Sequence, residues 1–361
     1  MTAEVEVHEW PAAGSGLWQE WFSLLEANDA NISLHPEWQR AALGAHGLLE
    51  GARVLRLTGR GELVGICPVI WRQRQMSGLS LRSLELSTSI VSYHAGLLYR
   101  SDPADVLSSL LEYASASNAD VVSLLNIPET SPTANAIATQ DPRSILTVRQ
   151  SAGEWSPYVS LDSDWGTFLA GRNKKFRANL LRTTRQMEKA GAGQMRWFEG
   201  PDDIDVLLAD ILTVEATSWK ASQGIAISQR RAEAEYYRQL LPFLANSAAL
   251  FANVAYAGSR PLAYVLGARW RGWYGQLKTS FDESIRDAGA SVVDASVQRA
   301  FEAGGVEYDF LGDSAPHKLK WTEQVRGHKD YYLLLKTGRA RITSLLGAAY
   351  SLSRKLRRAP D

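Results

Sequence analysis

Phe251 to Lys278 reads FANVAYAGSRPLAYVLGARWRGWYGQLK. Three apolar runs, Phe251–Ala257, Leu262–Arg269 and Trp273–Lys278, are parted by Ala257-Gly258-Ser259-Arg260 and Trp270-Arg271-Gly272. β-branched and aromatic runs bounded by glycine turns predict three successive strands. Ala290 to Ala303 then carries helical spacing, and Glu307 to Leu311 is a further short strand. A strand meander followed by a helix and another strand predicts a mixed α/β unit.

Upstream of this stretch, Lys174 to Lys189 is a basic helix stopped by Gly191-Ala192-Gly193. Helices are also expected over Asp202–Ser218 and Arg231–Leu244. Farther out, Leu17, Trp18, Trp21, Phe22 and Leu25 fall at helical spacing, and Pro36 suits an early helical position. Arg53–Thr58 and Leu63–Trp71 flank Gly59-Arg60-Gly61-Glu62, which predicts a hairpin. Asp102-Pro103 opens a helix through Tyr113, and Val121–Leu125 is a short buried strand. Ser151-Ala152-Gly153-Glu154 reads as a loop and marks a boundary. Tyr331–Leu335 reads as a strand and Arg339–Arg357 as a terminal helix. The two halves echo each other loosely, without a strict repeat. The expected organisation is a degenerate domain at 1–152, a second domain at 153–336 and a basic amphipathic helix at 337–361.

The chain has 361 residues, enough for two domains, with 39 Lys+Arg balanced by 39 Asp+Glu. Specific nucleic-acid binding usually carries a basic excess, so none is expected here. The single cysteine, Cys67, allows no intrachain disulfide and reads as a buried strand residue. Six scattered histidines give no metal spacing, so no metal is expected. Met1-Thr2-Ala3-Glu4-Val5-Glu6 lacks the apolar core of a signal peptide, and no run of about 18 apolar residues is present. A soluble cytoplasmic protein is the expectation. There is no phosphate-cradling Walker loop, no H-E-x-x-H and no G-x-S-x-G.

Several segments share an order and spacing. Ser156-Pro157-Tyr158-Val159-Ser160-Leu161 precedes the basic stretch Arg172-Asn173-Lys174-Lys175-Phe176-Arg177. Glu215-x-x-x-Trp219-Lys220 follows, and Glu307-Tyr308-Asp309-Phe310-Leu311-Gly312 leads to His317-Lys318-x-x-Trp321. His35-Pro36-x-Trp38 and Leu63 to Pro68 complete the set. With these, residues 30–335 resemble the Gcn5-related N-acetyltransferase (GNAT) superfamily. The resemblance is to its cellulose-biosynthesis-type acetyltransferase branch, akin to Fem-type transferases with tandem GNAT-like halves. It implies an α/β (α+β) fold of two such domains with mostly antiparallel sheets. It also implies transfer of an acyl group from a thioester, usually acyl-CoA, to an amine.

In such proteins the donor pyrophosphate sits on a Q/R-x-x-G-x-G/A loop at a helix start. Arg286-Asp287-Ala288-Gly289-Ala290-Ser291 fits in position, with Ser291 where Gly or Ala is usual. Small residues admit backbone close to a phosphate, and helix N–H groups favour its charge. Arg286, Ala288, Gly289, Ala290 and Ser291 are therefore donor-site candidates, unless the segment is a plain helix cap. The basic helix offers Arg172, Lys174, Lys175, Arg177, Arg182, Arg185 and Lys189 for phosphates, a carrier surface, tRNA or anionic lipid, or is simply solvated.

An alkylamine with an ordinary pKa of about 10.4 must lose a proton before it attacks. Glu215, beside Trp219, is a candidate base if burial raises its pKa, or else an ion-pair partner of Lys220. Asp309, an acid within an apolar strand, needs a partner or a job. His317 suits a proton shuttle and Lys318 an oxyanion partner. Tyr93 and His94 are candidates to line the acceptor groove, or else form a structural turn; Trp219 is a further substrate-binding candidate, and Asp282 lies in the loop Ser280–Glu283 that would shape the donor mouth. The tail, with Ile342, Leu345 and Leu346 beside Arg354, Lys355, Arg357 and Arg358, suits either peripheral contact with the inner membrane face or docking on its own domain. Two other functions fit the same residues: a Fem-like aminoacyl-tRNA-dependent transferase, and an inactive scaffold binding an acyl carrier or partner protein. No motif encodes acyl length, acceptor or oligomeric state.

Overall fold

The computed structural model describes residues 4–28, 30–87 and 93–356, with side chains to residue 347. The chain forms two compact units. Residues 1–154 and 327–361 make unit 1, and residues 155–326 make unit 2.

Unit 1 begins with β1 (Glu4–His8), α1 (Gly16–Ala27) and α2 (Pro36–Ala45). The hairpin expected around Gly61 is present as β2 (Arg53–Gly59) and β3 (Glu62–Met76). After β4 (Leu79–Leu86) and β5 (Leu98–Tyr99) come α3 (Pro103–Ala116), β6 (Val121–Pro128) and α4 (Pro132–Ala138). Asp102 starts α3 by accepting the Ala104 N–H at 2.8 Å, with Pro103 at the position where a missing N–H costs nothing. Strands β1, β2, β3 and β4 run antiparallel in that order, β4 pairs parallel with β6, and β5 pairs with β3. Val106, Leu107, Leu110 and Leu111 of α3 are buried against this sheet with Leu55, Leu57, Val69 and Val122. Cys67 is fully buried there, and burial pushes its thiol up to about 12.

Ser151 to Glu154, expected as a loop, instead continues a strand, β7 (Thr147–Ser160), and the unit boundary falls inside it. Small and polar residues hide the strand's periodicity, and pairing with distant partners supplies the order. β7's end pairs with residues 307–309 in unit 2.

Unit 2 adds α5 (Trp165–Ala170), α6 (Lys174–Lys189), β8 (Gln194–Phe198), α7 (Ile204–Ala216), α8 (Trp219–Ser222) and α9 (Arg231–Asn246). The quoted meander follows as β9 (Leu250–Ala257), β10 (Arg260–Trp270) and β11 (Trp273–Phe281), then α10 (Ala288–Glu302) and β12 (Glu307–Asp309). The sheet runs β8, β9, β10, β11, β12 and the end of β7; only β11 and β12 are parallel. That parallel pair covers Trp273–Gly275 alone, while β11 continues to Phe281 against β10. β12 ends at Asp309, opposite Gly275. Asn173 begins α6 by accepting the Phe176 N–H at 2.8 Å. One face of α6 and α10 joins an aromatic cluster of Trp165, Phe168, Phe176, Phe301, Phe310 and Trp321. Burying each large apolar side chain contributes about 1.5–3 kcal/mol, so this cluster fixes how the two helices approach.

Residues 327–336, expected in the second domain, lie in unit 1. The cause is long-range pairing: β13 (Val325–Leu334) runs antiparallel to β6, with Leu334 opposite Val121. The last helix, α11 (Gly338–Leu356), also lies in unit 1, with Ala340 and Thr343 buried.

Candidate active site

Unit 2 holds a cavity of about 870 Å³, within the range that accepts small molecules. Its walls are α6, the first turns of α10, Trp219, the end of β11 and the segment 317–323. Four basic side chains, Arg172, Lys175, Arg182 and Lys320, face it against three carboxyls, Asp287, Asp294 and Glu323.

The donor-loop candidates divide by position. Gly289 and Ala290 line the cavity. Ala288 is fully buried in the core beneath. Arg286 points into solvent with 81% of its side chain exposed. Ser291 bonds back to the Ala288 carbonyl at 2.8 Å and faces a second, smaller cavity. No side chain caps α10, because the preceding Asp287 adopts a left-handed φ of 67° and turns its carboxylate to Arg182. The Ala288 N–H bonds to the Ile285 carbonyl at 3.4 Å, while the N–H groups of Gly289 and Ala290, both cavity-lining residues, have no acceptor within the helix. Glycine is required at 289 by packing: a Cβ there would lie within 3.0 Å of the Phe281 ring.

Glu215 does not line this cavity. It is fully buried, and its Oε1 accepts from the Tyr264 hydroxyl at 2.7 Å and Lys220 Nζ at 3.1 Å. Its Oε2 accepts the Ile227 N–H at 2.6 Å, and Lys278 Nζ lies 3.5 Å away. Burial alone pushes this carboxyl up, but the Ile227 and Tyr264 bonds and the two ammonium groups outweigh it and hold it below the ordinary range. The expected upward shift is thus reversed, and Glu215 ties α7 to the strands rather than offering a free base. Lys220, in turn, donates to the Thr279 carbonyl at 2.7 Å and anchors the end of β11.

Asp309 and Lys318 also stand behind the cavity rather than in it. Asp309 is fully buried and accepts from Ser156 Oγ, from the Leu311 N–H at 2.8 Å and from Arg326 at 2.8 Å. Lys318 donates to the Leu311 carbonyl at 2.6 Å and to Asp313. Leu311 carries a left-handed φ of 51°, so these two side chains hold a strained turn. That turn leads into 317–323, the cavity wall. Arg326 spans Asp309 and Glu307 and lies over the Tyr158 ring at 4.5 Å. Arg326→Ala leaves a buried carboxylate without its cation, and unit 2 is expected to lose about 3–5 kcal/mol in denaturant unfolding.

His317 and Trp219 do line the cavity. Burial, then Lys318, pushes the His317 imidazole below its ordinary value. Asp282 is buried and organises its own loop, accepting from the Ser284 N–H at 2.9 Å and hydroxyl at 2.6 Å and pairing with Arg260. Tyr93 and His94 belong to unit 1. There the Tyr93 carbonyl accepts from Asn126 at 3.3 Å, and His94 Nδ1 lies 3.3 Å from His328 Nε2. Neither is a wall of the unit 2 cavity. Ser92, of the same stretch, lies outside the described residues.

Of the three carboxyls on the wall, Asp294 is the one within α10, beside Ala290 and Val293. Among the described residues it makes no hydrogen bond and no ion pair. Burial, reinforced by Asp287 and opposed by Lys320, pushes it up to about 7. Its sequence signal is faint: one acid in Val292-Val293-Asp294-Ala295, four residues beyond Ala290 and so on its face of the helix. Lys320, rather than Lys318, supplies the cation on the 317–323 wall. Among the described residues, no group of three or more His, Cys, Asp or Glu side chains is placed to hold a metal ion.

Residues 174–319 match the family described as an acetyltransferase (GNAT) domain. The match spans α6 to the cavity wall, so the similarity to a GNAT acetyltransferase domain lies within unit 2. No curated protein matches the chain in sequence. Among solved structures, FemX aligns with TM-score 0.59 at 11% identity, over 91% of this chain and 97% of its own. A conserved protein of unknown function from Bacteroides thetaiotaomicron VPI-5482 aligns with TM-score 0.58 at 12% identity, over 88% and 97%. L-PGS from Bacillus licheniformis aligns with TM-score 0.55 at 14% identity, over 95% and 99%. These likenesses are likenesses of fold.

Proposed function

We propose that this protein is an N-acyltransferase that moves an acyl group from acyl-CoA to a primary amine on a lipid, sugar or small metabolite. One juxtaposition carries the reading: the uncapped start of α10 and the basic side chains of α6 face the same cavity as the unpartnered acid Asp294. The helix start and Arg182, Lys175 and Lys320 suit the donor's phosphates. Asp294 receives one proton from the acceptor ammonium. The freed nitrogen forms the N–C bond at the thioester carbonyl, the C–S bond breaks, and the sulfur takes the second proton from that nitrogen. Moving the first proton from a group of pKa about 10.4 to one near 7 is uphill by about 4–5 kcal/mol, a modest part of a catalysed barrier. The cellulose-biosynthesis-type branch reading rests on the order and spacing of the motifs at 35–38, 63–68, 156–161, 172–177, 215–220, 307–312 and 317–321.

The test is CoA release from acetyl-CoA and longer acyl-CoAs with a panel of primary amines. Amine-dependent release, with the amide product found by mass, is expected. Absence of release with every pair would overturn the reading.

The same reading places the protein in the cytoplasm and, for a lipid acceptor, at a membrane surface. No described helix is long and apolar enough to cross a membrane. Yet α11 buries Ala340 and Thr343 and leaves Ile342, Leu345 and Leu346 at 52%, 72% and 47% exposure beside exposed Arg339 and Arg341. An apolar ridge flanked by arginines suits an anionic bilayer. Co-sedimentation with phosphatidylglycerol vesicles is expected to fall at least tenfold in Ile342→Glu/Leu345→Glu, and binding to phosphatidylcholine alone is expected to be absent.

A further inference from the structure

The second cavity of unit 2, about 460 Å³, lies between α5, α6, β8 and α10. Its walls include Trp165, Leu169, Leu181, Met187, Met195 and Ala295. It shares Leu180, Thr183 and Asp294 with the larger cavity, so the two adjoin along α6 with one carboxyl common to both. We propose that this cavity is the acceptor's chamber and that it takes an apolar primary amine, its tail among the leucines and methionines and its ammonium head on Asp294. The inference rests on the acyl-transfer reading and names the class of its acceptor.

Three features support it. Asp294 is partly buried and makes no hydrogen bond or ion pair among the described residues, which is costly for a carboxylate, and a bound cation relieves that cost. The chamber's two other charged side chains are engaged with backbone or open to solvent. Arg177 is turned to the backbone carbonyls of Leu169, Ala170 and Arg172 at 3.4, 3.2 and 3.0 Å, and Glu188 is exposed. Finally, the basic groups that suit phosphates lie on the larger cavity, which leaves the apolar one for the second substrate. An acyl tail needs no charge at its head, and a fatty carboxylate would be repelled by Asp294. Thioether side chains of Met187 and Met195 adapt to tails of varied shape.

The experiment is calorimetric binding of octylamine, octanol and octanoate to the full chain at pH 8 without donor, with acetyl-CoA titrated in a separate arm. Octylamine is expected to bind at least tenfold more tightly than octanol, with octanoate weaker still. Asp294→Asn is expected to bring octylamine to the level of octanol. Ala295→Phe, which fills only the smaller cavity, is expected to abolish octylamine binding and keep acetyl-CoA binding, which also reports an intact fold. Equal binding of octylamine and octanoate, or unchanged octylamine binding in Ala295→Phe, would overturn the proposal. If acetyl-CoA binds and octylamine does not, the acceptor chamber falls and the donor reading stands. If octylamine binds as described and no acyl-CoA does, the donor reading falls and the chamber stands.

Discussion

Asp294→Asn is expected to lower kcat/KM for acyl transfer by about 10²–10⁴-fold, the usual contribution of a positioned acid or base. The amide keeps the side chain's shape and removes its ability to take a proton. In the native protein the rate should rise with pH through about 7, because burial and then Asp287 hold Asp294 protonated below that value. Asp294→Asn should lack this limb. Stability should move the opposite way. A carboxyl whose folded-state pKa is raised above the unfolded value near 4 loses stability as pH climbs from there to about 7. Above pH 7 the ionised form is fully penalised, and the amide escapes that penalty. Asp294→Asn should therefore be the more stable protein at pH 8, by up to about 4 kcal/mol, and no different near pH 3. Slower and more stable together separate a lost base from a damaged fold. Denaturant melts at the two pH values and a pH–rate profile check both halves.

Gly289→Trp carries the second large effect. Even a Cβ at this position meets the Phe281 ring, and an indole must displace the ring or enter the cavity. Either outcome moves the α10 start away from the donor's phosphates. Acyl-CoA affinity is expected to fall by at least 100-fold, with about 1–3 kcal/mol of stability lost to overpacking. Gly289→Ala should show a smaller loss in the same direction. Titration of acetyl-CoA into both variants, with circular dichroism to confirm folding, is the measurement. Unchanged affinity in Gly289→Trp would remove the donor from this cavity.

What the sequence disclosed was local. Lys174 to Lys189 is a helix because Asn173 caps it and glycines stop it, all within one window, and the structure has the same bounds. The meander from 250 to 281 is likewise written in its own turns. Pairing across long separations was not legible. β13 leaves unit 2 for β6, about 200 residues earlier, and nothing between Val325 and Leu334 names that partner.

The site divided along the same line. Gly289 and Ala290 are donor-site candidates through a local pattern, and they line the cavity. Glu215 and Asp309 attracted attention as acids in apolar surroundings, and that cost is real. It is met by partners far along the chain: Tyr264 and Lys278 for Glu215, and Ser156 and Arg326 for Asp309. Asp294 was passed over because a helical aspartate has an ordinary solvated reading, and only the packing of α6 over α10 desolvates it. Lys318 and Lys320 differ by two positions, which on a turn sends one to hold the loop and the other to the cavity.

Thermal unfolding of the full chain with acetyl-CoA, longer acyl-CoAs, free CoA, aminoacyl-tRNA and buffer tests the central claim most directly. A donor present at about 100 times its dissociation constant adds roughly 2.7 kcal/mol to the state that binds it. The account predicts a raised midpoint with acyl-CoA that disappears in Gly289→Trp and no shift with aminoacyl-tRNA. No shift with any CoA species, or one with aminoacyl-tRNA alone, would contradict it.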